Sequence, residues 1–310
     1  MVQEDSLKKI VVICGPTASG KTALALKIAK LLDTEIISAD SIAVYKGLDV
    51  GTAKATKEER SLVPHDLIDV VEPTADYSVA EYERAALKEI ERLHLSGKIP
   101  VICGGTGYFI DAILFKRSYG NCPKNAVVRK KLKERFETFG ANSLYEWLRS
   151  VDPVTAEKLN PNDYLRVSRA LEIFILTGKR KSEIVDEAVP RFRYVAFTID
   201  YPRDKLYERI NERVDKMFGD GLVAEVRGLL SSGVPENAQS MQAIGYKEIV
   251  CGIKDGLSIE EMTEAVKQNT RRYAKRQITY FKRLDGLNRL SGENAFEEAV
   301  KILKNERFIH

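Results

Sequence analysis

Residues 13–26 read ICGPTASGKTALAL, and Gly15-Pro16-Thr17-Ala18-Ser19-Gly20-Lys21-Thr22 within them fits the pattern G-x-x-x-x-G-K-[ST]. Glycines there let successive backbone N–H groups turn inward, and the helix N-terminus that follows favours anions, so the loop cradles a chain of phosphates. Lys21 adds charge, and Thr22 can reach a Mg²⁺ ion. Such a loop needs a strand before it and a helix after it. Residues 9–14 (KIVVIC) supply the β-branched apolar run of a buried parallel strand, and residues 22–32 follow with helical period. The loop says what is held and leaves open what is done with it.

The rest of the chain extends this frame. Residues 35–40 (EIISAD) and 99–103 (IPVIC) read as further strands. Ser78-x-x-Glu81 has the form of a capping box, opening a helix that runs through Leu95 and stops at Gly97. Strands alternating with helices predict an α/β fold with a parallel sheet and ligands at the strands' C-terminal ends. From Lys116 to Val189 the strand signal vanishes, and helical stretches rich in Lys, Arg and Glu take over at 126–139 and 164–176. Residues 194–200 (YVAFTID) return to a strand pattern, with helices expected from there to the C-terminus. The expected organisation is a P-loop α/β core of residues 1–115 and 190–310, with an all-helical insertion at 116–189.

Composition removes several classes. No segment approaches the roughly 20 apolar residues of a membrane span, and Met-Val-Gln-Glu-Asp lacks the start of a secretion signal. Cys14, Cys103, Cys122 and Cys251 form no C-x-x-C pair, which argues against a zinc site or disulfide framework and for a reducing cytoplasm. Cys14 and Cys103 each close an apolar run and read as small buried hydrophobes. His65, His94 and His310 have no ligand spacing and read as surface positions.

Three further features carry chemistry. Asp40 ends the second strand, at the sheet edge where the phosphate loop lies; a carboxylate there suits a general base or part of a Mg²⁺ site. Thr106 stands between Gly105 and Gly107 at another strand end, where glycines permit close backbone approach. Gly51-Thr52-Ala53-Lys54 reads as a turn. Residues 270–283 (TRRYAKRQITYFKR) carry six cations and no acid. Helical spacing there turns Ile278, Phe281 and Leu284 inward and Arg272, Lys275, Arg276 and Arg283 outward. With Arg166, Arg169, Lys179, Arg180 and Lys181 of the insertion, this charge suits a nucleic-acid backbone.

With these residues in view, the chain resembles the bacterial tRNA dimethylallyltransferases. The matching stretches are GPTASGKT at 15–22, ISADSIAVYKGLDVGTAK at 37–54, PHDLIDVVEP at 64–73 and YSVAEYERAA at 77–86. GGTGYFI at 104–110, NDYLRVSRALE at 162–172 and KRQITYFKR at 275–283 continue the resemblance over nearly the whole chain. Ala43 stands where the family often has Gln, and Tyr108-Phe109 where Leu-Tyr is usual.

The resemblance implies that the loop grips the diphosphate of dimethylallyl diphosphate. The prenyl group would pass to N6 of adenosine 37 in the anticodon stem-loop of tRNAs reading codons that begin with U. It implies Asp40 as catalytic base, with Lys21, Thr106 and Arg227 (in VAEVRGL) as the other catalytic residues. Gly15 through Thr22 would bind diphosphate, with Mg²⁺ on Thr22. It assigns tRNA contact to Asp40, Ser41, Ile42 and Ala43, to Thr106 and Arg129, and to Leu165, Arg166, Val167, Ser168 and Arg169. Gln242, Ala243, Ile244, Gly245, Tyr246 and Lys247 join them, as do Lys275, Arg276, Gln277 and Lys282. A cytoplasmic monomer without membrane association is expected, with the target adenine flipped out of its stack. The rival readings are a P-loop small-molecule kinase, an adenylate isopentenyltransferase acting on a free nucleotide, and a non-enzymatic RNA-binding module. A complete phosphate loop beside Asp40 argues against the last.

Overall fold

The run Lys9–Cys14 forms β1, and every residue from Ile10 to Cys14 is fully buried. Successive side chains of a strand point to opposite faces. Ile10, Val12 and Cys14 accordingly enter one apolar cluster, while Val11 and Ile13 enter another. A strand buried on both sides belongs inside a helix-covered parallel sheet. The computed structural model, which describes residues 7–116, 122–184 and 189–309, has that sheet. The opening Met-Val-Gln-Glu-Asp and His310 lie outside the described residues.

Besides β1, the sheet contains β2 (Ile36–Ser38), β3 (His65–Asp66), β4 (Val101–Gly104), β7 (Arg193–Asp200) and β8 (Leu287–Ser291). Its order is β3-β2-β4-β1-β7-β8, with every pairing parallel. β5 (Phe115–Lys116) and β6 (Val189–Pro190) form a separate two-stranded ribbon. Helices α1 (Lys21–Leu31) and α12 (Ala295–Asn305) cover one face through Leu24, Ile28 and Leu303. The other face packs on α3 (Val79–Leu95), α4 (Gly107–Leu114), α9 (Leu222–Ser231) and α10 (Tyr246–Asp255) through Tyr82, Ile113, Val226 and Ile249.

The capping box at Ser78 forms: its Oγ accepts from the Glu81 N–H at 3.2 Å and the Glu81 carboxylate accepts from the Ser78 N–H at 2.7 Å. The same device opens α2 (Lys57–Leu62) at Thr56 and α11 (Ile259–Phe281) at Ser258. Four strands are absent from the sequence reading: the ribbon strands β5 and β6, at the two ends of the insertion, and β3 and β8 of the main sheet. β3 has only two residues, too few to show a period, and β8 interrupts the C-terminal helices expected after residue 200. β8 pairs on one side only, so its LNRLS stays half polar and lacks the apolar run of a central strand.

The chain divides into two units, Met1–Phe115 with Pro190–His310, and Lys116–Val189. The second unit holds α5 (Ala126–Val151, broken at Gly140), α6 (Pro153–Ala156) and α7 (Tyr164–Thr177) around Leu132, Leu144, Leu148, Val167 and Leu171. Its polar centre is Glu172, whose side chain is 1% exposed. The carboxylate accepts from Arg129 Nε at 2.8 Å, from the Asn125 N–H at 2.9 Å and from Arg169 Nη1 at 2.6 Å. Burial alone would raise this carboxyl. The bonds from Arg129, Asn125 and Arg169 outweigh it and bring it to about 2.

A group depressed from its ordinary range contributes stability above its unfolded pKa and loses it as pH falls toward the folded one. Glu172 thus contributes on the order of 3 kcal/mol at neutral pH. Glu172→Gln should lower the melting temperature at pH 7, and its deficit should shrink as pH drops from about 5 to about 3. A deficit independent of pH would contradict this account.

Candidate active site

The phosphate loop is held from three directions. Arg209 of α8 (Arg203–Gly219) donates from Nε to the Ala18 carbonyl at 2.9 Å. Gln277 of α11 accepts from the Thr17 N–H at 2.9 Å and donates to the Gly105 carbonyl at 2.9 Å. A Cβ at Gly105 would lie 2.3 Å from the Gln277 amide nitrogen, so glycine is required for this approach. Lys21 donates from Nζ to Pro16 O at 2.5 Å, folded back over its own loop.

Two cavities meet at this loop. The smaller, about 120 Å³, is lined by Lys21, Thr22, Lys54, Cys103 and Gly105 among others. The larger, about 310 Å³, is lined by Ser41, Ile42, Gln242, Gly245, Thr270 and Arg276 among others. Thr17, Asp40, Thr52, Arg213 and Tyr273 line both. Asp40 stands two residues beyond β2, at the C-terminal edge of the sheet. Its Oδ1 accepts from the N–H groups of Ile42 at 2.9 Å and Ala43 at 3.2 Å. That turn fixes the carboxylate and leaves Oδ2 as the atom a substrate can use. Thr106, the N-cap of α4, accepts from the Ser41 N–H at 3.0 Å and donates to Ser41 Oγ at 3.2 Å, tying two strand ends together.

The electrostatics suit a polyanion. Burial pushes the Lys21 ammonium down to about 8, with the Arg213 charge adding to the effect. Burial also lowers Arg213, whose Nη2 donates to Thr52 O at 3.0 Å. Burial makes each of these charges costly, and the Asp40 charge offsets part of that cost. Burial, reinforced by the Asp40 charge, pushes Tyr273 up to about 12, so its hydroxyl stays a donor. Burial lifts the Cys14 and Cys103 thiols to about 12 and about 11, leaving them protonated.

The other expected residues divide. Gln242, Lys247, Lys275, Arg276 and Lys282 are exposed, as are Leu165 and Arg166, and Gly245 and Ile244 line the larger cavity. Several positions need correction. Arg227 is exposed on α9 and lines neither cavity, whereas Arg213, not foreseen, lines both. Tyr246 is fully buried and its hydroxyl donates to Glu225 at 2.6 Å, so it supports the core. Val167 is packed into the insertion's core, and Arg129 and Arg169 are engaged with Glu172. Gln277 is buried against the phosphate loop. Cys103 is half-buried on the cavity wall. His65 and His94 are likewise half-buried, each with a ring nitrogen 2.8 Å from a backbone carbonyl, of Val63 and Lys9 respectively.

A magnesium ion of the kind the loop motif implies rests on substrate phosphates plus one or two protein oxygens, keeping several waters. The donor set fits that mode. Thr22 lines the smaller cavity, and no cluster of three His, Cys, Asp or Glu forms a separate metal cage among the described residues. Among them, too, no helix is long and apolar enough to cross a membrane.

Comparison with known proteins identifies the family. The sequence model of the family described as IPP transferase matches residues 43–284, and one described as isopentenyl transferase matches residues 8–68. A tRNA dimethylallyltransferase of a Thermoanaerobacter species is 48% identical over 282 residues, covering 89% of this chain and 90% of the relative. One from Acetivibrio thermocellus is 40% identical and covers 97% of each. The crystal structure of the tRNA isopentenylpyrophosphate transferase of Bacillus halodurans superposes with a TM-score of 0.72, at 37% identity over 96% of this chain and 95% of that one. A eukaryotic dimethylallyltransferase acting on tRNA superposes with a TM-score of 0.83, at 28% identity over 97% of this chain and 79% of its own. A phosphate loop facing a strand-end carboxylate, matched along the chain at these identities, makes this protein a member of the IPP transferase family.

Proposed function

We propose that this chain transfers the dimethylallyl group of dimethylallyl diphosphate to N6 of adenosine 37 in tRNAs reading codons that begin with U, releasing diphosphate. The observation that carries this reading is Asp40, whose carboxylate belongs to both cavities. Diphosphate occupies the phosphate-loop side, and the flipped adenine enters the larger side. The loop N–H groups, Lys21 and Arg213 offset the negative charge that grows on the leaving diphosphate. Mg²⁺ held at Thr22 supplies further charge neutralisation when bound. As the C1–O bond breaks and N6 bonds to C1, Oδ2 of Asp40 takes the N6 proton. Tyr273 lines both cavities and forms part of the wall on which the adenine rests, while Thr106, which lines neither, holds the Ser41 turn in place. The names and full-length coverage of the relatives support this reaction over the two enzymatic alternatives. A cytoplasmic monomer acting on its tRNA alone is the corresponding working form.

Incubation with labelled dimethylallyl diphosphate and unmodified tRNA bearing adenosines at 36 and 37 should label the RNA without turnover of ATP. Label appearing only on free AMP would assign a nucleotide isopentenyltransferase, and ATP turnover without prenyl transfer a kinase.

The exposed cations of α11 are proposed to bind the RNA backbone. Each phosphate contact releases counterions, so removing contacts flattens the dependence of log K on log salt. The double variant Arg272→Glu, Arg276→Glu should weaken tRNA binding and reduce that slope by about 2, with donor affinity spared. Equal loss for both substrates would make the segment a structural one.

A further inference from the structure

We propose that Tyr108 is a stacking platform for a nucleobase next to the adenosine that enters the active site; this rests on the tRNA reading above. Tyr108 lies two residues beyond Thr106 in the first turn of α4, yet it is 59% exposed. Its ring stands against Tyr280 of α11, with centroids 5.4 Å apart and planes tilted by 59°.

The ring beneath it is fixed. The Tyr280 hydroxyl donates to Asp111 Oδ2 at 2.7 Å, and its ring meets Phe281 edge-on at 5.7 Å. It also packs against Gly107, where a Cβ would fall 2.2 Å from a ring carbon. That glycine admits Tyr280, and Tyr280 in turn orients Tyr108. An aromatic side chain held in one place spends little conformational entropy when a base stacks on it.

The position continues a track from the cavity. Tyr273, Arg276 and Tyr280 fall at i, i+3 and i+7 on α11 and so share one stripe of that helix. Tyr273 and Arg276 line the larger cavity, and the Arg276 guanidinium lies over the Tyr273 ring at 5.6 Å. Tyr280 extends the stripe about 10 Å along the axis, within reach of a neighbouring nucleotide. Lys275, Lys282 and Arg283 are exposed on the same stretch. An available π-face among backbone-binding cations is how single-stranded nucleic acid is held, since every base has a face to stack. The leucine usual at this position in the family has bulk but no π-face.

The test uses the full chain, Tyr108→Leu and Tyr108→Phe, and anticodon stem-loops in which each nucleotide flanking the target adenosine is in turn made abasic. Y108L should raise KM for the RNA about 5- to 100-fold and leave the rate at saturating RNA and the KM for donor unchanged. Y108F should restore the parent value, and one abasic substrate should abolish the difference between Y108L and parent. An RNA KM within twofold of the parent for Y108L, or a deficit that persists on every abasic substrate, would overturn the proposal. A parent chain that labels no RNA at all would instead overturn the reaction assigned above, and the proposal with it.

Discussion

Asp40→Asn slows prenyl transfer by about 10²- to 10⁴-fold while dimethylallyl diphosphate binds as before. The N6 amino group is a weak nucleophile because its lone pair is delocalised into the adenine ring. It becomes competent only as it loses a proton, so a positioned base acts in the transition state and not in the ground state. Asparagine keeps the volume, and its carbonyl oxygen can still accept from the Ile42 and Ala43 N–H groups that hold Oδ1. The turn survives, and what is lost is the ability to take a proton. If Asp40 served Mg²⁺ instead, the defect would appear in donor affinity and recede with added Mg²⁺. Single-turnover rates at saturating tRNA across a Mg²⁺ series separate the two outcomes, and a near-normal rate rejects both roles.

The parts of the fold legible in the sequence are those that backbone chemistry dictates. The phosphate loop could be read because few residue patterns let N–H groups converge, and β1 because a strand buried on both faces leaves no room for polar residues. The Ser78 box was legible for the same reason, since orphan N–H groups at a helix start demand partners. Glycines 104, 105 and 107 announce close approach without saying to what. Ala39, Gln277 and Tyr280 turn out to be the neighbours, on elements up to about 170 residues away in sequence. Side-chain commitments over such separations leave no local trace. The resemblance puts Gln277 of the basic run 270–283 among the tRNA contacts, yet it is buried there as the link between Thr17 and Gly105. Arg129 and Arg169 looked like RNA-facing cations until the fold brought Glu172 between them. Periodicity assigns a residue to a helix face and does not say whether that face meets solvent, a cavity or a buried charge.

Arg213 is the sharpest instance, and its loss should be the second large effect. In α8, Leu206, Ile210, Val214 and Met217 form the buried stripe, and helical period alone puts Arg209 and Arg213, at i and i+4, outside it. Yet Arg209 holds the phosphate loop at Ala18 and Arg213 lines both cavities. Arg213→Gln should lower the transfer rate by about 10²- to 10³-fold, the scale for removing one preorganised group that stabilises developing charge. Arg227→Gln should stay within a few-fold of the parent, because Arg227 is exposed on α9 away from both cavities. Stability should move the other way. Burial depresses Lys21 to about 8, with the Arg213 charge adding to the effect, and burial lowers Arg213 as well, although Asp40 favours both charged forms. Neutralising Arg213 relieves the cost of burying its charge, and the melting temperature of Arg213→Gln should be no lower than the parent's despite the lost bond to Thr52. Arg213→Lys keeps the charge without the planar fork and should fall between the two in rate. Transfer rates of the three variants beside their melting curves decide the matter. A larger rate loss for Arg227→Gln than for Arg213→Gln would return the diphosphate contact to α9, and a rate loss matched by unfolding would make Arg213 a scaffold for the Thr52 turn.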